Sequence, residues 1–202
     1  MSSHLPRTLL IVVMFVSCGT AELVAGKFNR KLSAGDAAPV WKDLPGVDGK
    51  IHSLADLKEA KAVVVIFTCN HCPVASGYKE RFLQFVKDYQ ARDVTLIAIS
   101  CSRLPADSLE KMKLRSKESN FNFAYLQDLS QQSAKEYGAT VTPQAFVLDG
   151  ERKVAYLGAF DDSMDSKKVE THYVRDAVDA VLAGRKVEIK ESRPFGCGIQ
   201  YE

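Results

Sequence analysis

An α/β fold is what this sequence predicts, with a mixed central sheet, helices on both of its faces and a β-hairpin at the N-terminal end. Three observations lead there. Lys61 to Thr68 and Asp93 to Ser100 are apolar, β-branched runs without polar alternation, the pattern of strands covered on both faces. Val74, Tyr78, Phe82, Phe85, Val86 and Tyr89 follow the first run at helical spacing. In "QAFVLDGERKVAYLG", Gln144 to Gly158, two apolar stretches flank a turn at Asp149-Gly150 and so form an antiparallel pair.

The other elements fall between these. Leu44-Pro45-Gly46 and Asp48-Gly49 punctuate short extended pieces, which gives the hairpin, and a helical turn is expected near Asp56. After the second buried run, Asp107 with Glu110 three residues on reads as a capping box opening a helix to about Ser119. Phe123 to Asp128 reads as a short strand. Ser130 to Tyr137 reads as a short helix, with Gly138 where a left-handed C-cap is wanted. Val169, Tyr173, Ala177, Ala180 and Val181 share one face of a last helix that Gly184 ends. Arg185 to Glu202 reads as an irregular tail.

A chain of 202 residues suits one domain. It is 46% hydrophobic and 26% charged, with a formal net charge of +2 and no basic arm or stripe, which argues against a nucleic-acid binder. Residues 1–25 differ from the rest. "MSSHLPRTLLIVVMFVSCGTAELVAG" has a short basic start at Arg7, an apolar run from Leu9 to Val16 and small residues from Gly19 to Ala25, the layout of a signal peptide. The run is too short for a membrane span, which needs about 20 apolar residues. Phe15-Val16-Ser17-Cys18 also resembles a lipoprotein processing site with Cys18 acylated. The expected location is the periplasm or cell envelope, with no membrane span in the mature chain unless it is lipid-anchored at Cys18. The folded domain is expected over residues 33–184 and the tail over 185–202.

Export changes what the cysteines mean, because disulfides persist outside the cytosol. Cys69, Cys72, Cys101 and Cys197 remain once the signal is removed. A core of this size needs no staples, so their chemistry is the better explanation. Cys69 and Cys72 lie where the first buried strand turns into its helix, at the edge where open α/β sheets build their sites. Unpaired N–H groups at a helix start favour a thiolate, and Pro73 at the first helical position puts Cys72 at the N-cap. Cys72 is therefore the expected thiolate and Cys69 its partner. His71, between them, is either a further support for a thiolate or a solvated loop residue. Cys101 ends the second buried strand, and if the two strands are parallel it comes close to the pair. A small buried hydrophobe is its alternative reading. Thr142-Pro143 precedes an apolar strand, a place for an edge strand or a cis bond. His4, His52 and His172 read as surface or structural.

Several separated stretches resemble one family. "GDAAPVW" with "DGKIHSL", "FTCNHCP", "YGATVTPQAFVLD", "YLGAFDDS" and "FGCGIQY" occur in the order found in the thioredoxin-like redoxin superfamily, and closest to its peroxiredoxin-like, AhpC/TSA-related branch of exported bacterial proteins. The resemblance runs from about Ser33 to Tyr201. It implies a thioredoxin-like fold, a cis Pro143 facing the cysteines, and backbone hydrogen bonds from Thr142 to a bound thiol partner. Ordinary peroxiredoxins carry proline seven residues, and threonine or serine three residues, before the peroxidatic cysteine. Here Val65 and Cys69 stand at those places before Cys72, and Ala62 and Ile66 before Cys69.

The expected function is thiol-disulfide exchange through Cys69 and Cys72, on protein or small-molecule thiols and disulfides, with no cofactor and an unidentified upstream redox partner. A thiol peroxidase is the alternative, with Cys72 oxidised to a sulfenic acid and Cys69, Cys101 or Cys197 resolving it. A copper-binding protein is the third reading, with His172 as the downstream ligand it would need.

Overall fold

The computed structural model describes residues 26–202. The signal-peptide reading, Cys18 and His4 lie outside the described residues. β1 (Leu44–Pro45) and β2 (Ile51–His52) make the N-terminal hairpin, with Leu44 opposite His52. A 3-10 turn at Leu54–Leu57 follows, and its Asp56 carboxylate accepts from the Ser53 N–H at 2.7 Å.

β3 (Ala62–Phe67) is buried along its whole length at the centre of the main sheet. Val63, Val65 and Phe67 join Ile97, Ile99 and Phe146 in one apolar layer, while Val64 and Ile66 join Phe82, Phe85 and Val147 in the other. The two-residue period of a strand sends neighbouring side chains to opposite layers, so a strand between two cores has no polar positions to alternate with. Each of these side chains contributes about 1.5–3 kcal/mol by leaving water.

The helix expected after β3 comes in two pieces, α1 (Pro73–Gly77) and α2 (Lys79–Tyr89), joined at Tyr78. Gly77 is the weak point, since glycine in a helix interior costs about 1 kcal/mol relative to alanine. β4 (Val94–Ser100) runs parallel to β3, so both strands finish at the same sheet edge. α3 (Leu109–Glu118) is capped by Ser108, one residue later than the capping-box reading, and Asp107 belongs instead to the 3-10 turn before it. β5 (Ala124–Gln127) and α4 (Gln132–Tyr137) follow, and Gly138 takes the left-handed conformation at φ 63°.

β6 (Val141–Thr142) leads through a cis Thr142–Pro143 bond into β7 (Gln144–Leu148), which pairs antiparallel with β8 (Val154–Gly158). α5 (Tyr173–Leu182) begins later than the apolar spacing from Val169 implied. The Asp162 carboxylate accepts from the backbone N–H groups of Glu170 and Thr171, which commits that stretch to a loop. The main sheet has the order β5-β4-β3-β7-β8, parallel on the β4/β5 side and antiparallel on the β7/β8 side. Among the described residues no helix is long and apolar enough to cross a membrane.

The tail has little regular structure but a defined course. Residues 190–192 lie along the β8 edge, with Leu157 N–H donating to Lys190 O and Ser192 N–H to Leu157 O, both at 3.1 Å. The chain then crosses to β6, where β9 (Cys197–Gly198) pairs antiparallel with Thr142 opposite Cys197.

Candidate active site

Cys72 is the N-cap of α1 and is fully buried. Pro73 has no N–H to lose at the first helical position and fixes where the helix begins. The Cys72 sulfur accepts from the Ala75 N–H at 3.3 Å, lies 3.1 Å from the Thr142 carbonyl and 2.7 Å from the Cys197 sulfur. Burial alone would raise the pKa of this thiol. The contacts with Cys197 and Thr142 and the hydrogen bond from the Ala75 N–H outweigh it and hold Cys72 below the ordinary thiol range. The contact with Cys72 is the main reason that the Cys197 thiol is pushed up.

Cys69 has the opposite surroundings. Its thiol is pushed up to about 12, first by burial and further by the charge of Asp107, with a partial offset from the Thr142 hydroxyl 3.4 Å away. The His71 Nε2 is 3.9 Å from the Cys69 sulfur, and its Nδ1 is 2.5 Å from the Asp107 Oδ2. The other Asp107 oxygen accepts from the backbone N–H groups of Asn70 and His71, at 2.5 and 3.2 Å. The buried carboxylate thus ties down the loop between the two cysteines and orients the imidazole. Tyr125 Oη holds the same loop from the sheet side by donating to Asn70 Oδ1 at 3.1 Å.

Cys69, His71, Cys101, Arg103, Thr142 and Ile199 line a cavity of about 100 Å³. The parallel pairing of β3 and β4 accounts for Cys101 sharing this cavity with Cys69. Burial pushes the Cys101 thiol up to about 12, so it is an inert neighbour at neutral pH. Pro143 is cis, and Thr142 before it faces both motif cysteines, Cys72 through its carbonyl and Cys69 through its hydroxyl.

Cys69, His71 and Asp107 also bring three potential ligand atoms within 4.8 Å of one another. The Asp107 oxygens are already engaged by the Asn70 and His71 backbone N–H groups and the His71 ring, so the set is better fitted to orienting His71 than to gripping an ion. His172 caps α5 and is not part of this group, and His52 pairs with Asp48 at 3.0 Å. Sequence reasoning assigned Asp107 to a helix cap and so missed its place in the site. The usable signal was a carboxylate in the loop just after a strand that ends beside the cysteines.

Comparison with curated proteins gives no match. A hypothetical protein from Sinorhizobium meliloti 1021 has a similar crystal structure, with a TM-score of 0.79, 34% identity, and coverage of 86% of this chain and 97% of that one. Peroxidoxin BcpB from Mycobacterium tuberculosis shares the fold at a TM-score of 0.58 and 22% identity, over 75% of this chain and 95% of its own. A thioredoxin family thiol:disulfide interchange protein from Chlorobium tepidum TLS shares it at 0.59 and 22%, over 75% of this chain and 99% of its own. The fold is therefore thioredoxin-like. Residues 34–157, which include Cys69, Cys72, Thr142 and Pro143 but stop short of the tail, match the AhpC/TSA family, and the chain belongs to that family.

Proposed function

We propose that the protein is an exported thiol-disulfide oxidoreductase in which Cys72 is the attacking thiolate. One observation carries the reading: Cys72, the N-cap of α1, is the only cysteine of the described residues whose pKa is lowered, with the contact with Cys197 and the hydrogen bond from the Ala75 N–H among the causes. Its thiolate attacks a disulfide of a protein or small molecule, one substrate thiolate leaves, and a mixed disulfide remains on Cys72. A neighbouring thiol then attacks the Cys72 sulfur, releases the second substrate thiolate and leaves an intramolecular disulfide. The Cys69-x-x-Cys72 motif offers Cys69 for that step. Export, inferred from the signal-like start, would keep the protein where such disulfides persist.

Exchange is favoured over peroxide reduction because the two positions that activate peroxide in ordinary peroxiredoxins hold Val65, buried in the sheet, and Cys69. The test is reaction of the full chain with glutathione disulfide, followed by mass spectrometry and by alkylation rate against pH. A glutathione adduct on Cys72, with a rate profile that turns over below the ordinary thiol range near 8.5, is the expected result. Saturable peroxide turnover that outpaces exchange would overturn the reading.

A further inference from the structure

The tail carries a further sulfur into the site, and we propose that Cys197, rather than Cys69, resolves the mixed disulfide on Cys72 and closes a Cys72–Cys197 disulfide. This rests on the reading of Cys72 as the attacking thiolate.

The Cys72 and Cys197 sulfurs are 2.7 Å apart across 125 residues of chain, against about 2.05 Å in a disulfide, so closure asks for a small movement. A thiol held in that position acts at a very high effective concentration.

The position of Cys197 is also fixed by the fold. The β6/β9 register sets Cys197 opposite Thr142, and Ile199 N–H donates to Thr140 O at 2.9 Å. Gly196, at φ 150°, lies so close to the Thr142 carbonyl that a Cβ there would collide with it. Beyond the cysteine, Gln131 donates to Gln200 O and accepts from Glu202 N–H, at 2.8 and 2.9 Å, and Tyr201 Oη donates to Ala139 O at 2.6 Å. The tail is thus pinned on both sides of Cys197.

Proton affinity separates Cys197 from Cys69. Cys69 is held protonated chiefly by burial, with Asp107 adding to it and the Cys72 charge a smaller contribution, and burial and Asp107 remain when Cys72 is tied up. Cys197 is held protonated chiefly by its bond to Cys72, and it is partly exposed. Once the Cys72 sulfur is tied up in a mixed disulfide that bond loses its charged acceptor, and Cys197 is released to ionise. Attack by Cys72 therefore arms its own resolving thiol.

The steps balance. The Cys72 thiolate breaks the substrate S–S bond, forms a bond to one sulfur and expels the other as a thiolate. Cys197 gives its proton to solvent and attacks the Cys72 sulfur, and the bond to the remaining substrate sulfur breaks. The substrate disulfide is reduced to two thiols, and Cys72 and Cys197 are oxidised to one disulfide.

The experiment treats the reduced full chain with glutathione disulfide, quenches with acid over time and maps the peptides without reduction. In the natural chain the first internal disulfide is expected between Cys72 and Cys197. Cys197→Ser and Cys197→Ala should both still form the glutathione adduct on Cys72, which reports an intact site, and should hold it on the order of tenfold longer or more. A Cys69–Cys72 disulfide formed first in the natural chain, with an adduct in Cys197→Ser that decays at the natural rate, overturns the proposal and leaves Cys72 as the attacking thiol. Absence of any adduct on Cys72 in all three proteins overturns the proposal together with the reading beneath it.

Discussion

Cys69 and Cys72 stand three residues apart in sequence, both are buried, and both touch Thr142, yet their thiols are driven in opposite directions. Cys72 meets a helix N–H that donates to it and the Cys197 sulfur, and these lower its pKa despite burial and a backbone carbonyl at 3.1 Å. Cys69 meets a hydroxyl that only partly offsets burial, and beyond His71 a buried carboxylate. Burial acts on both, so what separates them is the sign of the groups that replaced water. A Cys-x-x-Cys spacing brings two sulfurs near each other without making them equivalent.

The largest expected effect comes from removing each sulfur in turn. Cys72→Ser should lower the rate of adduct formation with glutathione disulfide to background, whereas Cys69→Ser should still form the adduct; the reverse pattern would assign the attack to Cys69. Asp107→Asn tests why the two differ. Replacing the carboxylate should bring the Cys69 thiol down from about 12, read as faster alkylation of Cys69 at fixed alkaline pH. The same variant disturbs a buried acceptor of two backbone N–H groups and should cost about 1–3 kcal/mol in denaturant unfolding. An unchanged Cys69 rate in the folded variant would remove Asp107 from the explanation.

Cys197→Ala probes the other side. Losing that donor should move the pH profile of Cys72 alkylation back towards the ordinary thiol range, while Cys197→Ser, which keeps a hydroxyl donor, should move it less. An unmoved profile in both would leave Ala75 as the dominant donor.

The smallest effect is on stability against pH. The folded state keeps a proton on Cys69 up to about pH 12, whereas an unfolded thiol releases it near 8.5. The unfolded state therefore binds fewer protons between those values, and stability that is fully present below about 8.5 is lost as pH rises towards 12. Cys69→Ser should flatten that decline by the share of one proton, and an identical slope would contradict the raised pKa.

By itself the sequence determined the alternation of strands and helices, since each core layer dictates a period that can be read off: continuous burial in β3 and β4, helical spacing from Val74 to Tyr89. It also marked the helix start, because Pro73 tolerates few other positions, and with it the N-cap location of Cys72. The tertiary structure alone decided what surrounds each sulfur. Asp107 and Ser108 are equally good caps locally, and only packing of the loop sent the carboxylate to His71, 36 residues away. The seat of Cys197 depends on a two-residue ladder to β6 and on the side chain of Gln131 just before α4, neither of which leaves a periodic trace in residues 185–202. Periodicity records burial, a property of each residue and its near neighbours. The charge state of a thiol depends on a few polar atoms brought together across the chain, and those positions exist only after the fold has closed.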